Sequence, residues 1–234
     1  MNETESYSAS EHETKFVFNN SSVHYIIQWL QTRCLPDPEF PAGIVSSIYY
    51  DTWDWRFLRE KINSDYLKTK VRLRWYTDID TEVPEDESYL EAKYKVGNRR
   101  EKVRIKTRFS GRWLSRVNLD NNKLLTIPHL LRPRGVLISE QLYPAFQISY
   151  KRRRFVEPVT SARLCIDYDI WAPSVNWQML PRINAFRLQN AVFELKGRIT
   201  ELPDVLHQLT ALGCRKQSFS KYIVCYKKIM RIAF

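Results

Sequence analysis

Basic side chains recur at every second position in several short stretches of this 234-residue chain. Arg72 and Arg74 do so, as do Lys93 and Lys95 behind Glu91, then Lys102, Arg104, Lys106 and Arg108, then Arg152 and Arg154. Glu11, Glu13 and Lys15 follow the same spacing, and so do Arg163, Asp167 and Asp169, and Glu194 with Lys196. Residues two apart in a strand share a face, so each set is a charged ladder wherever its segment is extended. Guanidinium groups grip phosphate oxygens through a planar fork, and ammonium groups act as point charges. Carboxylates supply the hard oxygen ligands that Mg²⁺ or Mn²⁺ takes. The chemistry open to such a set is the binding of a phosphate chain together with a divalent metal.

The remaining reactive side chains point away from other enzyme classes. His12, His24, His129 and His207 are scattered, and the chain has no H-E-x-x-H, G-x-S-x-G or Walker loop. Cys34, Cys165, Cys214 and Cys225 fit neither C-x-x-C nor zinc-finger spacing. They read as reduced thiols of a cytoplasmic protein. The opening residues MNETESYSASEHE are polar and acidic, unlike a signal peptide. No apolar run reaches the ~18 residues of a membrane span. A net charge of +11 asks for an anionic partner: nucleic acid, acidic lipid or phosphate chains. An RNA-binding sheet would carry aromatics on the same face as its basic residues. Here the aromatics mostly take the opposite parity, and no nucleic acid is expected.

The elements that must carry these ladders are mostly strands. Alternation predicts strands near 11–18, 44–52, 71–76, 89–96, 101–109, 144–156, 162–170 and 190–198. A helix is expected from Ser21 or Ser22 to about Cys34, and another over 202–212, ended by Gly213. Residues 35–43 hold three prolines and a glycine and read as a loop. Residues 53–68 form an amphipathic helix or a long connection. Residues 112–143 are partly helical, and the end (SFSKYIVCYKKIM) is strand or helix. Strands follow one another without a helix between each pair, which argues for an antiparallel sheet or barrel with added helices. Residues 1–10 read as a disordered tail and 11–234 as one domain.

Two arrangements of the ladders are open. In the ordinary one, each strand packs its apolar face on the core and leaves its charges in water. In the other, helices cover the bulky apolar faces from outside, and the arginines and lysines face an interior. So many like charges would be prohibitively costly to bury without an anion, and a phosphate chain with a divalent metal would resolve the conflict. Paired arginines at i and i+2, opposite aromatic faces, favour the second arrangement. Asp167 and Asp169 either join a metal site or pair with Arg163.

Glu11-x-Glu13-x-Lys15 resembles the first-strand signature of the triphosphate tunnel metalloenzymes. SIYYDT (47–52), RLRWY (72–76), LEAKYK (90–95), SYKRRRF (149–155), ARLCIDYD (162–169), VFELKGR (192–198) and FSKY (219–222) resemble, in order, the polyphosphate-polymerase branch, the VTC domain. The resemblance covers about residues 11–225. It implies an α+β fold: an antiparallel eight-stranded β-barrel, the triphosphate tunnel, with helices packed outside. It implies phosphate contacts from Lys15, Arg72, Arg74, Lys93, Arg152, Arg163, Lys196 and Lys221, and Mn²⁺ or Mg²⁺ held by Glu194 with Glu13 and Glu11. The implied partners are ATP and polyphosphate, the γ-phosphate moving onto the chain with release of ADP. A triphosphatase, or a polyphosphate binder without activity, is the alternative. Ser218 stands where this branch tends to carry a further basic residue. The regulatory SPX and membrane segments of the eukaryotic complex are missing, as in bacterial stand-alone members.

Overall fold

The computed structural model describes residues 12–96, 99–197 and 202–232. The expected tail over residues 1–10, and Glu11, lie outside them. Eleven strands form one antiparallel sheet: β1 (His12–Asn19), β2 (Leu35–Pro36), β3 (Ala42–Asp51), β4 (Leu67–Thr77), β5 (Pro84–Val96), β6 (Arg99–Thr107), β7 (Tyr143–Val156), β8 (Arg163–Ala172), β9 (Phe186–Arg187), β10 (Asn190–Gly197) and β11 (Arg215–Lys216). The order is β11-β1-β10-β8-β7-β3-β4-β5-β6, with β2 on β7 and β9 on β8. The expected antiparallel sheet with added helices is present, and two points differ from the eight-stranded barrel. Eight strands are long, but three two-residue segments also join their edges. Among the described residues no ladder links β6 back to β1 or β11.

The strands form where β-branched and aromatic residues alternate with charge. The outward parity of β4 and β5, with Val71, Leu73, Trp75 and Leu90, is fully buried. It packs beneath Leu114 of helix α3 (Gly111–Leu114), Leu124 of α4 (Asn122–Thr126), and Ile127 and Leu131 of a 3₁₀ stretch over Ile127–Arg134. On the other half, Phe16, Phe18, Leu164, Ile166, Phe193 and Leu195 pack beneath Ile26 and Leu30 of α1 (Val23–Gln31) and the 3₁₀ stretch Asp204–Leu209. The helix expected over 202–212 is thus a short 3₁₀ segment following Pro203. Ser22 sits at the α1 N-cap without a side-chain cap bond; Asn19 instead caps the 3₁₀ turn before it.

The C-terminal segment resolves as helix α5 (Lys221–Ile229), with the Ser220 side chain capping it. It is not outside the sheet. Tyr222 and Cys225 belong to one core with Tyr49, Ile148, Tyr150 and Val192, which take the parity of the charged ladders. The Tyr222 ring stacks on Tyr49 and Phe146, with centroids 5.2 and 5.0 Å away. Its hydroxyl donates to buried Asp51 at 2.6 Å. The same carboxylate accepts from the backbone N–H groups of Thr52, Phe57 and Leu58, fixing α2 (Arg56–Ile62) to the end of β3. Burial pushes the Asp51 carboxyl up to about 6 against those hydrogen bonds.

Gly111 lets α3 approach the sheet closely. A Cβ there would lie 2.5 Å from the Glu85 carbonyl oxygen and 2.9 Å from Cδ1 of buried Trp75. Backbone and a packed indole yield little, so Gly111→Ala is expected to cost about 1–3 kcal/mol. A urea midpoint lowered at unchanged m-value would show it.

Candidate functional site

Register across the sheet brings distant charges together in rungs. Arg72 on β4 stands opposite Glu91 on β5, which stands opposite Arg104 on β6. Nε and Nη2 of Arg72 reach one Glu91 oxygen at 2.8 and 2.7 Å. Arg74 lies 3.5 Å from that oxygen, and Arg104 3.9 Å from the other. Arg74 also meets the Ser47 hydroxyl at 3.4 Å, while Arg104 stacks over the Tyr89 ring at 3.8 Å. Arg74 and Glu91 are both buried. Burial opposes the Glu91 charge, but Arg74 and Arg72 outweigh it and hold the carboxyl far below its ordinary range.

A second cluster forms on the other half. Arg152 on β7 stands opposite Asp167 on β8 and binds it through both edges of its fork, at 2.5 and 2.7 Å. Lys221, at the start of α5, also bonds to Asp167, with its ammonium 4.5 Å from the Tyr150 ring centroid. Glu194 on β10 gathers Lys15 at 3.2, Lys196 at 3.5, Arg152 at 3.6 and Lys221 at 3.8 Å. Lys15 bridges onward to Glu13 at 3.0 Å. For Asp167 and Glu194, burial works against ionisation, and the surrounding cations reverse it and hold both carboxyls low.

The two clusters face one interior. Lys70 on β4 feels Lys15 and Lys221 of the second cluster. Lys93 on β5 feels Lys196, and also Glu13. Enclosure by protein, then Arg72, Lys196 and Lys70, lower Lys93 to about 7. Its surface nevertheless remains open to solvent, as expected for a group lining a hollow. Nine cations (Lys15, Lys70, Arg72, Arg74, Lys93, Arg104, Arg152, Lys196 and Lys221) thus meet four carboxylates, Glu13, Glu91, Asp167 and Glu194. An interior that cationic attracts phosphates strongly.

The structure therefore gathers Lys15, Arg72, Arg74, Lys93, Arg152, Lys196 and Lys221 from the expected set. Arg163 differs. It is exposed near the end of its strand, opposite Lys196 in register. Its expected pairing with Asp167 is replaced by Arg152 and Lys221, because register sets residue 152 opposite 167. Asp169 leaves the ladder as well. Its φ of +46° falls where β7 and β8 slip register, and it binds Lys151 at 3.1 Å and Asn20 at 2.9 Å. Lys106 pairs with Glu87 on the surface, so only part of the 102–108 ladder turns inward.

Three members escaped the sequence reading. Glu91 was on a recognised ladder, but nothing local says which arginines it meets. Arg104 was on another. Lys70 lies one further step along the Arg72–Arg74 parity and could have been read from it. A hollow of about 530 Å³ bordered by Arg112, Trp113, Arg116 and Asp120 lies by α3, apart from these rungs.

For a metal, Glu194 and Glu13 supply hard oxygen donors joined through Lys15. Among the described residues no group of three His, Cys, Asp or Glu side chains could hold an ion. The set fits Mg²⁺ or Mn²⁺ held by one or two carboxylates together with substrate phosphate oxygens.

The VTC domain profile matches residues 10–230. A solved structure of a candidate adenylate cyclase from Bacillus halodurans superposes with a TM-score of 0.53 at 14% identity, covering 93% of this chain and 98% of its own. A candidate adenylate cyclase from Vibrio parahaemolyticus (TM-score 0.45, 12% identity, 94% and 97% covered) and a conserved hypothetical protein from Pyrococcus furiosus (0.45, 12%, 92% and 99%) also match. The first likeness is one of fold. No curated protein matches the sequence. Among the described residues no helix is long and apolar enough to cross a membrane.

Proposed function

Because this chain belongs to the VTC domain family, we propose that its interior transfers the γ-phosphate of ATP onto a polyphosphate chain. The observation that carries this reading is the surplus of inward cations, held in place by Glu91, Asp167 and Glu194. In the transfer, the bond from the γ-phosphorus to the ADP oxygen breaks. A terminal oxygen of the acceptor chain forms the new one, and ADP leaves. Charge spreads over the equatorial oxygens, and fixed cations lower the barrier without reorganising. Arg72, Arg74 and Arg152 align the phosphates through their forks; Lys15, Lys93, Lys196 and Lys221 neutralise them, with Arg163 at the rim. Glu194 and Glu13 would hold Mn²⁺ or Mg²⁺, which would supply further neutralisation of the phosphoryl oxygens.

Closure of the eight long strands into a tunnel belongs to the same reading. It is supported by the reach of Lys196 and Glu13 to Lys93 across the interior. Dependence on ATP sets the work in the cytoplasm. One observation favours a second reading, metal-dependent hydrolysis of a triphosphate. Helix α5 fills one end of the interior with Tyr222 and Cys225, and a short substrate needs no exit for a growing product.

Purified protein incubated with ATP and Mn²⁺ is expected to release ADP and yield long polyphosphate on a gel. Orthophosphate without chain growth would select the hydrolase, and no product with retained binding would leave a non-catalytic binder. Glu194→Gln is expected to abolish turnover. Full activity in that variant would refute the metal assignment.

A further inference from the structure

Next to the rung that Glu91 neutralises lies one with no carboxylate. Lys70 stands directly opposite Lys93 in the β4–β5 register, on the parity of Arg72 and Arg74. Like charges placed opposite each other across strands are destabilising, and an interior position sharpens the conflict. Lys70 has no carboxylate partner among the described residues; its ammonium rests 5.0 Å from the centroid of the Tyr49 ring. The groups facing it are Arg72 and Arg74 on its own strand, Lys93 on β5, Lys15 on β1, Lys221 on α5 and Tyr49 on β3. The charged groups that act most strongly on it are cations; the nearest carboxylate in register, Glu91 on β5, is held by Arg72, and Glu13 acts on Lys93.

We propose that Lys70 and Lys93 form a separate anion subsite that takes a further phosphoryl group of a linear polyphosphate, so that the protein reads chain length. This rests on the phosphate-binding reading above. The geometry gives the reason. Successive rungs on one face are about 7 Å apart along a strand. Orthophosphate occupies one rung, whereas a chain of three or more phosphoryl groups reaches from the arginines at Glu91 to the lysines beyond. Burial first, then Arg72 and Lys15, hold Lys70 well below its ordinary value without a ligand. A phosphate placed there favours the charged ammonium and works against that lowering, so protons are taken up rather than released on binding.

The test is calorimetric titration of wild type, Lys70→Met and Lys70→Gln with tripolyphosphate and with orthophosphate, in two buffers of different ionisation heat. Removing one charged hydrogen-bond donor is expected to weaken tripolyphosphate binding about tenfold or more. Orthophosphate binding should stay unchanged, and proton uptake with tripolyphosphate should shrink. Without ligand, neither variant should melt below wild type, because the lysine lost pairs with no carboxylate and stands opposite another lysine. If wild type binds tripolyphosphate and the variants bind it equally well, the subsite is refuted while the wider reading stands. Equal losses for both ligands, or variants that melt lower without ligand, also refute it. If wild type binds no tripolyphosphate, the wider reading fails first.

Discussion

Replacing Arg72 by alanine is expected to lower turnover by about 10²–10³-fold, the usual effect of removing one fixed donor aimed at developing charge. Arg72 sits at the centre of the first rung, bound to Glu91 through two nitrogens, and its side chain is largely buried. Burial alone would favour a neutral group, but Glu91 outweighs it and keeps the guanidinium charged. Sequence reasoning by itself would leave stability untouched, since Arg72 is not part of an apolar core. The structure changes that expectation: alanine strips Glu91 of its closest partner and leaves a buried carboxylate to Arg74 and Arg104. A moderate loss of stability should accompany the kinetic loss. Steady-state assays and urea melts on the same preparation separate the two effects. Adding Glu91→Gln to Arg72→Ala should restore stability without restoring turnover. Full activity in the single variant would remove Arg72 from the site.

Asp167→Asn is expected to be the more damaging change for the fold. Asp167 is fully buried and is the shared partner of Arg152 and Lys221. An amide leaves two buried cations short of a counter-charge, at a cost of about 3–5 kcal/mol. Tripolyphosphate should offset part of it, since ligand at a hundred times its dissociation constant contributes about 2.7 kcal/mol. The pH dependence follows from the sign of the shift. The folded Asp167 carboxyl lies below its ordinary value. Its contribution is therefore present above the unfolded value near about 4 and lost as pH falls below it. Wild type should thus lose stability more steeply than Asp167→Asn between pH 6 and 3. Glu91 and Glu194 shift the same way, so the variant keeps a shallower acid limb. Denaturant midpoints across that range would show the difference, and parallel curves would contradict it.

The pattern of the chain made the inside-out character of the sheet readable. Leu73 and Trp75 could be set against Arg72 and Arg74 from alternation alone, and the outer helices do cover them. Alternation is local, however, and says nothing about which strands meet. The Arg152–Asp167 and Arg72–Glu91 rungs depend on register between segments 15 and 19 positions apart. Asp169 was misplaced for a related reason: one left-handed residue shifts everything beyond it to the other face. The last segment was ambiguous because SKYIVCYKKI suits either periodicity. It became a helix where Tyr222 could stack on Tyr49 and reach Asp51.

On the reading proposed above, a phosphate chain entering this interior competes with Glu91 and Asp167 for the arginines and lysines they hold, and the same carboxylates regain full hold as it departs. The protein thus carries its own eluent. These resident rivals limit how tightly an anion is held and hasten its escape.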